Sequence, residues 1–141
     1  KREHFIMSKR YEFKRIESIV GKRASFYYLL INGKNKFAKF YDKHKNNFEN
    51  EFDYIQTLMQ MVSEGQLLPL TKFRPIKGKK CNCIYELKKG KIRVYCIKVD
   101  PNFYVPFAGF KDDEKTDYDT LESIAKEFID SGERPNITNT I

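Results

Sequence analysis

The stretch CNCIYELKKGKIRVYCIKVDPNFYVPFAGF, residues 81–110, decides the fold. Lys89-Gly90 and Asp100-Pro101-Asn102 cut it into three β-rich runs, Cys81 to Lys88, Lys91 to Val99 and Tyr104 to Phe110. β-branched and aromatic runs bounded by Gly, Pro, Asn and Asp read as strands. Connections this short join antiparallel neighbours, so a three-stranded meander is expected.

Taking Lys89-Gly90 as a two-residue turn fixes a register. Cys83, Tyr85 and Leu87 then face Cys96, Val94 and Ile92 on one side, while Ile84, Glu86 and Lys88 face Tyr95, Arg93 and Lys91 on the other. The first side is core. The second is polar near the turn, and on residue types alone it is a solvated surface whose Glu86–Arg93 pair contributes ~0.2–1 kcal/mol.

Upstream, Ala24 to Ile31 is dominated by Phe, Tyr, Leu and Ile and ends at Asn32-Gly33, which reads as a buried strand and a turn. Phe37, Phe40, Tyr41, His44 and Phe48 then fall at helical spacing. The pattern breaks at Asn46-Asn47 and resumes with Phe52, Ile55, Leu58, Met59 and Val62 up to Gly65, so two antiparallel helices are expected. His44, on an apolar helix face, reads as structural. Pro69 and Pro75 bracket an irregular link. Downstream, Tyr118, Leu121, Ile124, Ala125, Phe128 and Ile129 mark a helix, with Thr116 or Asp117 as N-cap and Gly132 as stop.

The expected fold class is therefore α+β: an N-terminal strand, two antiparallel helices, a three-stranded antiparallel meander and a C-terminal helix. These occupy one domain over residues 24–130. Residues 1–23 form a basic extension whose Tyr11, Phe13, Ile16, Ile19 and Val20 fit a short amphipathic helix, and residues 131–141 form a polar tail. Met7 is an alternative natural start.

A chain of 141 residues is long enough for one core, and 15% aromatic content supplies it. No run reaches the roughly 18 apolar residues of a membrane helix, and no secretory signal is evident, so a cytoplasmic location is expected. Three cysteines, an odd number, do not make a disulfide framework, and reduced thiols follow. In the register above Cys83 and Cys96 are neighbours, which leaves a redox-dependent bridge as the alternative. Cys81-x-Cys83 lacks zinc-knuckle spacing, and neither a P-loop nor a dinucleotide fingerprint is present. Residues 111–141 carry nine acidic and four basic side chains, leaving +13 of the total +8 on residues 1–110. That basic part favours a polyanionic partner, nucleic acid or acidic protein.

The run Tyr85-Glu86-Leu87-Lys88-Lys89-Gly90-Lys91-Ile92-Arg93-Val94-Tyr95, followed by Ala108-Gly109-Phe110-Lys111 and Lys115-Thr116, resembles the RelE/ParE toxin superfamily, especially its HigB-like, phage-derived branch. The resemblance implies a ribosome-dependent mRNA endoribonuclease, held in check by a cognate antitoxin. RNA and the ribosome would be partners; no membrane, metal or other cofactor is implied. Cleavage by a 2′-hydroxyl builds negative charge that fixed cations stabilise while other groups move protons. By motif position Arg93 and Lys111 match the family cations and Tyr118 its C-terminal Tyr. Tyr118 also fits a core position at helical spacing with Leu121 and Ala125. Lys88, Lys91, Tyr95 and Lys115 would contact RNA.

Two features depart from the pattern. Ile84 and Glu86 stand where ribosome-dependent members carry strand lysines, and Asp112-Asp113-Glu114 is acidic where the branch is basic. They keep two further readings open: a noncatalytic ParE-like toxin that binds a protein such as gyrase, and a mobile-element binding module that has lost catalysis.

Overall fold

In the structure, a computed structural model that describes residues 8–78 and 81–136, the hairpin forms as β4 (Ile84–Lys89) and β5 (Ile92–Val99). Its register differs from the expected one. Lys89 pairs with Ile92, Lys88 with Arg93 and Glu86 with Tyr95, so the turn is Gly90-Lys91. Gly90 adopts φ 58° at the first central position, where glycine is favoured because a side chain would clash. A two-residue shift preserves which residues share a face but changes their partners: Glu86 is diagonal to Arg93, not opposite.

β4 and β5 lie in an α+β architecture in which, among the described residues, three helices cover a mixed sheet of seven strands. Two strands precede the helices, β1 (Tyr11–Arg15) and β2 (Phe26–Ile31), followed by α1 (Lys36–His44) and α2 (Glu49–Ser63). After the short β3 (Phe73–Pro75) come β4 and β5, then β6 (Asn102–Val105), β7 (Ala108–Phe110) and α3 (Glu114–Ser131). The sheet order is β1-β2-β6-β5-β4-β3, with β7 on β5. β2 runs parallel to β6, and the other pairs are antiparallel.

Several expectations are corrected. Residues 11–15 form an edge strand paired with β2, not a helix in an extension. Tyr11 is buried, Glu12 exposed and Phe13 half-buried, a two-residue period, while Ile16 and Ile19 enter the core from the following turn. The part of the expected extension before residue 8 lies outside the described residues. The link between Pro69 and Pro75 contributes β3, which pairs with β4. The run Tyr104 to Phe110 is two strands rather than one, split at Pro106, where no N–H is available for a ladder. α3 starts earlier than expected, with Asp113 at its N-cap, and stops at Gly132 with φ 71°. Residues 132–136 follow without helix or strand, and the rest of the expected tail lies outside the described residues.

Both sheet faces are covered. α1 and α2 pack over one face on Leu87, Ile92, Val94, Cys96 and Phe103. α3 packs over the other through Leu121, Ala125 and Phe128 against Ile84, Tyr95, Ile97 and Tyr104. Burial on both sides explains why β5 is almost continuously apolar rather than alternating. Cys81 and Cys83 are joined as a disulfide, against the expectation of reduced thiols, whereas Cys96 is free and buried opposite Tyr85. No helix of the described residues is long and apolar enough to cross a membrane.

Candidate functional site

Strand alternation puts Glu86, Arg93 and Tyr95 on the face beneath α3. In α3, Glu114, Asp117 and Tyr118 sit three and four residues apart, so they share the side that meets them. Charged groups brought together in a low-dielectric layer must pair, because an isolated buried charge costs several kcal/mol.

They do pair. Arg93 Nε donates to Glu114 Oε2 at 2.7 Å and lies 3.9 Å from Glu86 Oε1. Its Nη1 donates to the carbonyls of Gly90 at 2.8 Å and Ile92 at 3.0 Å. Glu86 is fully buried, and its Oε2 accepts from Arg74 Nε at 3.0 Å and from the Tyr118 hydroxyl at 2.6 Å. Arg74 Nη2 also donates to the Tyr118 oxygen at 2.9 Å, closing the network from β3 to α3. Only 6% of the Arg93 side chain is exposed, against 42% for Arg74, so solvent reaches the network from the β3 edge.

Burial raises the Glu86 carboxyl above its ordinary value, and Glu114 adds to that, while hydrogen bonds from Tyr118 and Arg74 oppose it. At Glu114 burial also acts upward, but the hydrogen bond and charge of Arg93 hold this carboxyl below its ordinary value on balance. Burial raises the Tyr118 phenol, and its hydrogen bond to Glu86 raises it further. Tyr95, packed on Phe107 and Tyr118, is raised by burial and then by Asp117. Burial and the Arg93 guanidinium thus push the two neighbouring carboxyls in opposite directions, Glu86 upward and Glu114 downward.

A carboxyl raised on folding favours the folded state while protonated and loses that advantage as pH climbs from its ordinary value through its folded one. Glu86→Gln, uncharged throughout, should therefore have a higher unfolding midpoint than the parent at neutral pH. The gap should narrow on acidification toward the ordinary carboxylate range. Thermal melts of both chains across pH test this, and a less stable Glu86→Gln chain at neutral pH contradicts it.

The expected cationic surface is divided. Arg93 and Tyr95, expected to be accessible, are buried because α3 covers their face. Tyr118 joins them as a hydrogen-bonded member of the network. Lys88 sits opposite Arg93, half-buried. Lys91 and Lys111 are exposed at the hairpin tip, where the Lys111 N–H donates to the Lys91 carbonyl at 2.7 Å, and Lys115 is exposed on the first turn of α3. His44 packs among Phe40, Phe48 and Phe110, as its place on an apolar helix face implies.

Sequence reasoning missed Arg74 and Glu114. Arg74 was hidden in a link read as irregular. Glu114 belonged to the acidic run that departs from the family pattern, and that same departure was its signal: a carboxylate near an arginine site is a partner for it. Among the described residues no cluster of His, Cys, Asp and Glu is placed to hold a metal ion. No family model matches this chain, and neither a curated protein nor a solved structure matches it.

Proposed function

We propose that the chain is a toxin of the RelE/ParE type that acts in the cytoplasm by binding a protein target rather than by cleaving RNA, and that a cognate antitoxin restrains it. The burial of Arg93 carries this reading. A guanidinium held by Glu114 and two backbone carbonyls under a helix has little capacity left to meet a phosphate in transition. Tyr118 supports it too, because a phenol raised above its ordinary value and donating to Glu86 is a poor proton acceptor. The motif from Tyr85 to Lys111, with two helices before a sheet hairpin and one after it, supports the family. The basic excess of residues 1–110 supports a target or antitoxin with an acidic surface.

Ribosome-dependent mRNA cleavage is the second reading, favoured by the exposed Lys91 and Lys111 side by side at the hairpin tip. Induced expression in bacterial cells, followed by growth and by primer extension on abundant transcripts, separates the two. Growth arrest with intact transcripts is expected. New transcript ends that disappear in a Lys91→Ala/Lys111→Ala chain would replace the binding reading with the nuclease one, and unimpaired growth would sink both.

A further inference from the structure

α1 turns Phe37 into the core against Tyr28 and Phe52 and leaves Lys36, Lys39 and Lys43 exposed at i, i+3 and i+7. Two turns of helix carry these ammonium groups along about 10 Å. Lys34, also exposed, extends the row into the preceding turn. None of the four is in an ion pair with another described residue; the carboxylate of this helix, Asp42, faces Lys45. Like charges at helical spacing repel one another, so the row weakens the helix unless something anionic lies along it.

The row is not on a convex face. It forms one wall of a cleft of about 750 Å³ whose other wall is Phe107, Asp117 and Thr120. A second cleft of about 550 Å³ shares Lys34, Lys36 and Thr120 and continues along α3 past Asp119 and Ser123. The two make one groove, cationic on the α1 side and apolar, hydroxyl-bearing and acidic on the α3 side.

We infer that this groove binds single-stranded nucleic acid, with phosphates along the exposed Lys34, Lys36, Lys39 and Lys43 and bases turned toward the exposed Asp119 and Thr120. A strand has the same division as the groove: its backbone is uniformly anionic and its bases present amino donors. Carboxylates accept from base amino groups such as that of cytosine, whereas uracil has none to offer. An acidic peptide carries carboxylates around its whole circumference and meets repulsion from Asp117 and Asp119. The site needs neither the Arg93 network nor the toxin reading, since its contacts come from α1, the turn before it and the exposed Asp119 and Thr120 of α3.

Fluorescence anisotropy of labelled oligocytidine and oligouridine on the full chain tests this. Oligocytidine should bind more tightly than oligouridine, with affinity falling as salt rises. Lys36→Glu/Lys39→Glu/Lys43→Glu should weaken binding by at least about tenfold, and the milder Lys36→Gln/Lys39→Gln/Lys43→Gln should lower the salt slope by about 2–3. Unchanged circular dichroism melts of the glutamine variant would show that it folds. Lys14→Glu/Lys22→Glu, at two exposed lysines that line neither cleft, should bind as the parent does. Equal binding by the glutamine variant and the parent would overturn the assignment, as would a loss confined to a Lys91→Glu/Lys111→Glu chain, which would move the site to the hairpin tip. Displacement of oligocytidine by polyglutamate at comparable concentration would also overturn it, in favour of an acidic protein.

Discussion

Replacing Arg93 with alanine should lower the free energy of unfolding by about 3–5 kcal/mol, the range for breaking a buried ion pair from one side. The guanidinium is 6% exposed and stands between two carboxylates, one of them fully buried. Without it Glu86 and Glu114 confront each other under α3, and the Gly90 and Ile92 carbonyls lose their donor. Glu114 is 25% exposed and relaxes partly toward water, which places the expected loss at the lower end of the range. Urea unfolding followed by far-ultraviolet circular dichroism measures it. Adding Glu86→Gln to the Arg93→Ala chain should restore part of the loss, because one of the confronting charges is then gone. An Arg93→Ala chain as stable as the parent would mean that the guanidinium is a functional group held in reserve and not a structural one. Because of this effect, lost activity in Arg93→Ala measures folding, and the exposed Lys91 and Lys111 are the sounder positions for probing catalysis.

Phe128→Ala should cost a similar amount, about 3–5 kcal/mol, from lost burial plus the cavity left behind. Phe128 is fully buried, its ring 5.3 Å from Tyr11, 5.8 Å from Phe13 and 5.1 Å from Tyr104, with the Arg134 guanidinium 5.0 Å from its centroid. It joins the edge strand β1 to the last turns of α3, near opposite ends of the described chain. Hydrogen exchange should show lost protection in β1 and the C-terminal half of α3, with α2 the least affected because it packs on the other sheet face. A change below about 1 kcal/mol would mean that the site collapses around the smaller side chain and that β1 is held by its ladder with β2 alone.

The hairpin, the three helices and the sharing of one face by Glu86, Arg93 and Tyr95 were legible in the residues themselves. Each depends on local periodicity: two along a strand, 3.6 along a helix, and Gly as helix stop. The strand at Tyr11–Arg15 was less so, because Tyr11, Phe13, Ile16, Ile19 and Val20 satisfy a helical pattern about as well as an alternating one, and its pairing with β2 settled the matter. The hairpin register turned on Gly90, which suits either the first or the second central position of a tight turn, so neighbouring residues left two registers open.

By itself the sequence determined the β4–β5 hairpin, the faces of its two strands and the division of charge between a basic first part and an acidic end. Only the tertiary structure decided that α3 lies over the polar face, that Arg93 is matched by Glu114 and Arg74 by Tyr118, and that the α1 lysines line a groove. Those pairs are separated by 21 and 44 residues, and the groove walls by more, so no local rule connects them. Buried charges need partners, but which carboxylate reaches which guanidinium is set by how the helix packs across the sheet.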